Sequence, residues 1–445
     1  MNNKVTKVTL RAWLTLGLLT LLMALAFIDR MIISLLVEPI RADFSISDTQ
    51  MSLLMGLSFV IFYTAFGIPV AKLADKYSRK LIIIASVFSW SLATVLSGFS
   101  KTYSTLFIAR VGVGIGEGGF APASYAFISD MFPRDKLAFA TSIYSSGIAL
   151  GIGFAYIVGG NLYSYFSKDY TPYFEVLESF EAWQLTFIAV GLPGFVFTLL
   201  LLLIREPART GTSLPANADE QAARIVKKGL VSFILEKKKA LGSLWLAMAA
   251  WAIVDFAFLS WIPTYYFRVR DVQLESAGTN IGIVYIIFAT LGLLAGAKIA
   301  HMLQKRDHKD AVFKIGLVSA VVLVPLLWLM ISLPTNQSFV AAAMIIMVFS
   351  LPWGVAPAAL LDISPNHFRA QVTAIYLLII NLTGMTVGPT GVALLSDRFF
   401  KDEMQIGLAL VVVGNFALFL AFVALWFGRK HYADAVAAME VNDPA

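Results

Sequence analysis

No cysteine occurs in the 445 residues, which excludes disulfides, thiol nucleophiles and cysteine-held zinc or iron sites at the outset. Histidine is almost as scarce. The four present, His301, His308, His367 and His431, fall in connections or in the C-terminal tail, so neither a metal nor any other cofactor is expected. Charge is scarce too, at 14% of residues against about 25% in a soluble domain. Hydrophobic residues make up 58% of the chain and the mean hydropathy is +0.77. The net charge of +6 does not point to nucleic acid, because Lys and Arg sit in short connections between apolar runs and not along an amphipathic face.

What the chain has in abundance is long apolar sequence. A bilayer span takes about 20 apolar residues. Runs of that order, bounded by charge, Pro or Gly, occur at 12–37, 50–74, 80–98, 103–129, 137–162, 184–204, 243–267, 277–300, 311–333, 338–361, 368–396 and 405–428. The basic start at Lys4, Lys7 and Arg11 with Ala24-Leu25-Ala26 imitates a cleavable leader, but the first run resumes past Asp29-Arg30 to Val37 and reads as a span. With the N-terminus in the cytoplasm, 25 of the 34 Lys and Arg fall on the cytoplasmic side. Seven (Arg41, Lys101, Lys168, Arg268, Arg270, Arg398, Lys401) fall on the other, and Arg30 and Arg110 lie inside spans. That excess predicts the orientation, with both termini cytoplasmic.

An internal repeat divides the spans. Asp130-Met-Phe-Pro133 followed by Thr141-Ser-Ile-Tyr144 recurs as Asp362-Ile-Ser-Pro365 followed by Thr373-Ala-Ile-Tyr376, at an offset of 232 residues. Near the start of each half, Ile28-Asp29 with Ser34 echoes Val254-Asp255 with Ser260 at an offset of 226. The fold class expected is an all-α membrane protein, twelve transmembrane helices in two pseudo-symmetric six-helix bundles. Residues 1–204 form the first bundle, 205–242 a cytoplasmic linker, 243–430 the second bundle and 431–445 a cytoplasmic tail. Within the linker, Ala218 to Lys239 fits either a basic helix on an anionic leaflet or a solvated connection. Six spans plus six in parallel orientation puts a substrate site between halves at the bilayer midplane.

Charges inside a bilayer cost about 2.5 to 3.5 kcal/mol each, so each asks for a partner or a function. Four stand out: Asp29 and Arg30 in the first span, Arg110 and Glu117 in the fourth. Asp29 and Arg110 lie at similar distances from the outer ends of their spans, which gives them a common depth and makes an ion pair between them one plain reading. Arg110, Gly114 and Glu117 share one helical face, with Glu117 about 10 Å deeper than Arg110 at the rise of an α-helix. The four charges sum to zero. Protonating Glu117 would leave one net positive charge, suited to an anionic headgroup or to proton coupling.

Gly114-x-Gly116-x-x-Gly119 formally fits a dinucleotide fingerprint, but no strand precedes it and it lies inside an apolar run, so close helix packing is expected instead. Between the second and third runs, Ala71-Lys-Leu-Ala-Asp75-Lys-Tyr-Ser-Arg79-Lys80 resembles the signature loop of the major facilitator superfamily, with Ala71 and Ser78 where that family usually has glycine. The resemblance implies the major facilitator fold and a cytoplasmic latch formed by Asp75, Arg79 and Lys80 with Asp130 and Arg134. Within that superfamily, Asp29-Arg30, Arg110-x3-Gly114-x-Gly116-Glu117, Ala121-Pro122 and Asp130-x-Phe132-Pro133 resemble the spinster family of lysolipid and sphingolipid transporters. Gly118 stands where that family has Ala, and Ala26-Phe-Ile replaces the Asn-Tyr that commonly precedes the Asp-Arg pair. By that resemblance Asp29, Arg30, Arg110 and Glu117 carry proton coupling and headgroup recognition.

An amphiphilic substrate needs an apolar cavity with a few polar anchors. The candidates are Ser34, Tyr144, Asp255, Ser260, Trp353 at the Pro352-Trp353-Gly354 break, Tyr376, Asn381 and Thr383. The expected function is alternating-access secondary transport, coupled to protons, of a lysolipid or sphingoid-type molecule, by a monomer in the bacterial inner membrane. A proton-coupled permease for a small organic anion such as a sugar acid or sugar phosphate is the alternative within transport, and a non-transporting membrane sensor is the alternative outside it. An intramembrane enzyme is not expected, since no nucleophile with a base converges within the spans. Partners are limited to a small-molecule substrate, protons and membrane lipids.

Overall fold

The structure, a computed structural model, describes residues 8–169, 179–207, 229–365 and 368–442. The apolar runs become helices, several of which open at side-chain caps. Helix α1 (Leu10–Leu35) starts at Thr9, whose hydroxyl accepts from the Ala12 amide at 3.3 Å. It breaks at Leu36 into the short α2 (Val37–Phe44) and then α3 (Asp48–Ser52), where Ser47 and Gln50 form a capping box. A π turn at Leu53–Leu57 carries α3 into α4 (Ser58–Lys76). There follow α5 (Arg79–Gly98), opened by Ser78; α6 (Tyr103–Glu117), opened by a Thr102–Thr105 box; α7 (Phe120–Met131); α8 (Arg134–Ser164); and α9 (Ala182–Leu202).

After the linker come α10 (229–236), α11 (Lys238–Thr264), α12 (Leu274–Gln304), α13 (Ala311–Ser332), α14 (Thr335–Trp353), α15 (Ala356–Asp362), α16 (Arg369–Leu394) and α17 (Ile406–Asn442). Of the basic helix considered over Ala218–Lys239, residues 218–228 lie outside the described residues and 229–236 are helical. Residues beyond 430, assigned to a tail, continue α17, where Tyr432 stacks on Phe313 at 4.7 Å and donates to Asp362 Oδ2 at 3.3 Å.

Eleven helical segments among the described residues are long and apolar enough to cross a bilayer. The remaining span is α6 with α7, expected as one run over 103–129 and interrupted instead at Gly118–Gly119. Neither glycine has room for a side chain: a Cβ at Gly118 would lie 2.9 Å from the Tyr63 carbonyl oxygen, and one at Gly119 2.2 Å from Val70 Cγ1. The fold is the all-α, twelve-span membrane architecture. Large apolar side chains such as Leu199, Leu294, Phe416 and Phe427 lie on its surface, where a water-soluble protein would carry charge. The repeat is visible in local irregularities as well. The tenth span breaks between α14 and α15 as the fourth breaks between α6 and α7, and both α8 and α16 end in π turns, at Tyr165–Asp169 and Leu395–Phe400.

By contact the chain falls into two units, Met1–Gly211 with Ser260–Ile286, and Thr212–Leu259 with Ile287–Ala445. In the first, α1 packs on α8, α5 on α9 and α6, and α4 on α6. In the second, α13 packs on α14 and α17, and Trp251 of α11 donates its indole N–H to the Phe349 carbonyl of α14 at 2.8 Å.

The α4–α6 contact depends on Gly114, where a Cβ would sit 2.4 Å from the Phe59 carbonyl oxygen. Gly17, inside α1, has nothing within 4 Å of the same position. Gly114→Ala should therefore cost about 1 to 3 kcal/mol, since α4 must move to admit the methyl. Gly17→Ala should be neutral or stabilising by up to ~1 kcal/mol through helix propensity. Thermal unfolding of the two purified variants in detergent checks this; equal melting temperatures would refute the packing argument.

Candidate functional site

The four span-embedded charges meet in the first unit. Asp29 and Arg110 are 0% exposed, Glu117 2% and Arg30 7%. Arg30 Nη2 donates to Glu117 Oε2 at 2.5 Å, joining α1 to α6. Burial of such a pair costs desolvation on both sides, and breaking it by removing one partner costs about 3 to 5 kcal/mol.

Depth along a span suggested Asp29 as the partner of Arg110, but Arg110 binds the backbone instead. Its Nη1 donates to the Asp29 carbonyl at 2.9 Å and its Nη2 to the Arg30 carbonyl at 3.3 Å. The guanidinium thus staples α6 to α1 one level away from the Arg30–Glu117 pair. The Asp29 carboxylate faces Trp90, Thr94, Arg110 and Glu117, yet among the described residues neither of its oxygens accepts a hydrogen bond. Arg30 Nε, Arg110 Nε and Glu117 Oε1 are likewise unpartnered. Each such buried atom costs about 1 to 3 kcal/mol, so the cluster stores several places where a proton, a water or a ligand atom would be favourable.

Aromatic rings close the rest of the site. The Arg30 guanidinium carbon lies 4.4 Å from the Phe59 ring centroid, 4.5 Å from that of Phe27 and 5.1 Å from that of Tyr63. Phe59 and Tyr63 stack on each other at 5.3 Å. Sequence reasoning missed this cage, because an aromatic residue in an apolar run looks the same whether it packs on lipid, on another helix or on a cation. The only hint available was their position: Phe27 lies three residues before Arg30, and Phe59 and Tyr63 are one turn apart on the neighbouring span.

At the α4–α5 turn, Arg79 donates to the Asp130 carboxylate and to the Ala126 carbonyl at 3.1 Å, tying the loop to α7. Lys80 Nζ donates to the Leu202 carbonyl at 2.8 Å. Glu206, which the sequence did not single out, accepts from the Ser78 hydroxyl and from the Arg79 amide at 2.7 Å. Asp75 lies in the last turn of α4 and Arg134 opens α8; their side chains lie outside the described residues.

The opposite end of the same unit holds a second ion network that the sequence reading counted only as topology. Asp48, 0% exposed, accepts from Arg268 Nη1 at 2.8 Å and pairs with Arg41 Nε at 3.1 Å. Arg268 also donates through Nε to Glu38 at 2.9 Å.

The remaining candidates are dispersed. Ser34 donates to the Met31 carbonyl at 2.6 Å, and Asn381 and Thr383 donate to carbonyls of their own helix. Tyr144 and Tyr376, repeat-related, are both buried with hydroxyls unpartnered among the described residues. Ser260 is buried near the end of α11. Asp255 faces Trp353 in the second unit.

The Major Facilitator Superfamily profile matches residues 19–389. An MFS-type efflux pump of Mycolicibacterium smegmatis is 25% identical over 430 residues, covering 95% of this chain and 94% of that protein. The sphingosine-1-phosphate transporter of Danio rerio is 25% identical over 457 residues, covering 96% of this chain and 85% of that protein. The crystal structure of a bacterial homologue of the human lysosomal transporter spinster, inward-facing and unoccupied, superposes with a TM-score of 0.78 at 26% identity over 99% of this chain and 100% of that one. Matched over most of its length and built on the same twelve-span scaffold, the chain belongs to the Major Facilitator Superfamily as an integral membrane transporter, not an enzyme, and resembles the superfamily's spinster members.

Proposed function

We propose that this chain is a proton-coupled secondary transporter of amphiphilic anions of the lysolipid or sphingoid type. The observation that carries the reading is the buried Arg30–Glu117 pair beside an Asp29 carboxylate with no hydrogen bond among the described residues. With every group ionised the cluster is neutral and Arg30 is engaged. A proton on Glu117 removes the carboxylate's charge, leaves one net positive charge and frees the guanidinium for an anionic headgroup. Phe27, Phe59 and Tyr63 hold the cation in place through this step, each face contributing about 0.5 to 2 kcal/mol. Proton and anion then favour the same state of the protein and travel together. Names of relatives support the lipid class: one transports sphingosine-1-phosphate, and the bacterial structure is a spinster homologue.

The bundles 1–204 and 243–430 are the bodies that exchange access to the site, with 205–242 as their linker and Arg79–Asp130 as a cytoplasmic latch. The excess of basic residues supports cytoplasmic termini, in a bacterial inner membrane, and a monomer suffices for the cycle. The cavity side chains Ser34, Tyr144, Asp255, Ser260, Trp353, Tyr376, Asn381 and Thr383 are proposed to line the substrate path.

Uptake into proteoliposomes under an imposed pH gradient tests the coupling. Wild type should accumulate a lysophospholipid in response to the gradient, and Glu117→Gln should lose at least tenfold of that accumulation while still exchanging substrate at equal pH. Gradient-driven uptake of a hexuronate instead would favour the small-anion permease, and undiminished accumulation in the variant would remove Glu117 from the coupling. Asp29→Asn, which removes a carboxylate that accepts no hydrogen bond among the described residues, should shift the pH dependence of exchange with little loss of thermal stability. An unchanged pH profile would argue that Asp29 is a spectator.

The absence of cysteine makes the orientation directly testable. In intact cells a membrane-impermeant maleimide should label a single cysteine introduced at Lys401 and not one at Lys305, which should react only after the membrane is permeabilised. Reaction of both from one face would overturn the orientation.

A further inference from the structure

The second unit keeps one embedded acid and lacks the bases that accompany it in the first. At the 226-residue offset, Asp29-Arg30 becomes Asp255-Phe256; at the 232-residue offset, Arg110 becomes Ala342 and Glu117 becomes Phe349. Of the quartet, the carboxylate alone survives, and aromatic or small side chains stand where its charged companions were.

The geometry agrees with that reading of the repeat. Asp255 is 8% exposed, its Oδ1 accepts no hydrogen bond, and no cation acts on it among the described residues; the Trp353 indole is the polar side chain that does. Trp251, Asp255 and Phe258 share one face of α11. That face packs on α14, where Trp251 donates to the Phe349 carbonyl and Phe258 meets the Phe349 ring edge-on at 6.0 Å. Trp251, Phe258 and Phe349 are each sealed at 1% exposure, whereas Trp353, one turn beyond Phe349, is partly exposed and its Nε1 is unpartnered. Asp255 therefore sits between a closed aromatic patch and the Trp353 indole, whose ring is partly exposed and whose Nε1 is buried.

A carboxylate without a cation inside a span is costly, and a carboxylate beside aromatic faces is what an organic ammonium group prefers. A hard metal ion needs six or more oxygen ligands, which this surrounding of rings does not offer. We propose that Asp255 and Trp353 form a site for the ammonium group of a zwitterionic amphiphile, such as a choline or ethanolamine headgroup or the amine of a sphingoid base. The proposal rests on the reading of the substrate as an amphiphile and narrows it to molecules bearing a positive charge.

Binding to the purified full-length protein in maltoside micelles tests it, with lysophosphatidylcholine and lysophosphatidylglycerol as probes of the same chain length. Wild type should prefer the choline lipid about tenfold, the ratio that ~1.4 kcal/mol gives. Asp255→Asn should abolish that preference by weakening the choline lipid about tenfold relative to the glycerol lipid, the ratio that ~1.4 kcal/mol gives, with thermal unfolding in the same micelles reporting that the variant is folded; Asp255→Glu should restore it. A preference that persists in Asp255→Asn, or that wild type lacks while binding both lipids, overturns the ammonium site and leaves the amphiphile reading intact. Equal loss of both lipids in Asp255→Asn, with Asp255→Glu normal, assigns a proton rather than an ammonium to the carboxylate and also overturns it. Binding of neither lipid by wild type defeats the amphiphile reading, and this proposal with it.

Discussion

A guanidinium held between a carboxylate and three aromatic rings, at a depth where lipid would reject it alone, is the contact around which the first unit is arranged. Arg30 on α1 reaches Glu117 on α6 while Phe59 and Tyr63 of α4, which packs on α6, lie against the same guanidinium. That approach requires the bare backbone at Gly114, because any side chain there would strike the Phe59 carbonyl. Arg110 then fixes the α1 side of the contact by donating to two successive carbonyls. The glycine-rich stretch that superficially suggests a nucleotide site is consumed by this packing, with Gly116 against the Trp90 backbone and Gly118 against Tyr63 and Gly67.

The ion pairs at the two ends of the same unit obey different energetics. In Arg79–Asp130 and Arg268–Glu38 one partner keeps some contact with water, at 15% and 22% side-chain exposure, so separating them costs less than separating Arg30 from Glu117, whose side chains are 7% and 2% exposed. The central pair cannot separate unless a proton or a substrate group replaces one partner. In the proposed cycle the end pairs would be the easier contacts to open, and the central pair the one that makes the move conditional on cargo.

Much of the fold was legible because lipid imposes length and composition on every span, and the repeat was legible because Asp130 and Asp362, or Tyr144 and Tyr376, keep constant spacing. The members of the charge cluster were legible for the same reason, since a charge in an apolar run is conspicuous. Their pairing was not. Depth along a helix follows from residue count, but which neighbour a side chain turns toward depends on helix rotation, and that is how Arg110 came to bind carbonyls and Arg30 to take Glu117. The break at Gly118–Gly119 was hidden because glycines inside an apolar run read equally as close packing or as a helix end. Glu38, Asp48 and Arg268 were passed over because the short helices α2 and α3 lie in what hydropathy treats as a loop. Glu206 was passed over because a lone acid at a span terminus carries no pattern.

The two halves of the repeat diverge in charge while agreeing in backbone, and that difference has a physical consequence. A duplicated ion cluster would give both halves a neutral, self-satisfied core, and neither would discriminate between an empty site and a filled one. Replacing Arg30, Arg110 and Glu117 by Phe256, Ala342 and Phe349 in the second half leaves Asp255 without a cation of its own among the described residues. On the proposed reading the first half would bind an anion once Glu117 is protonated, and Asp255 of the second half would bind a cation. Each half would on that reading recognise one charge of a zwitterion, and a selectivity of that kind needs no further polar residue in either bundle.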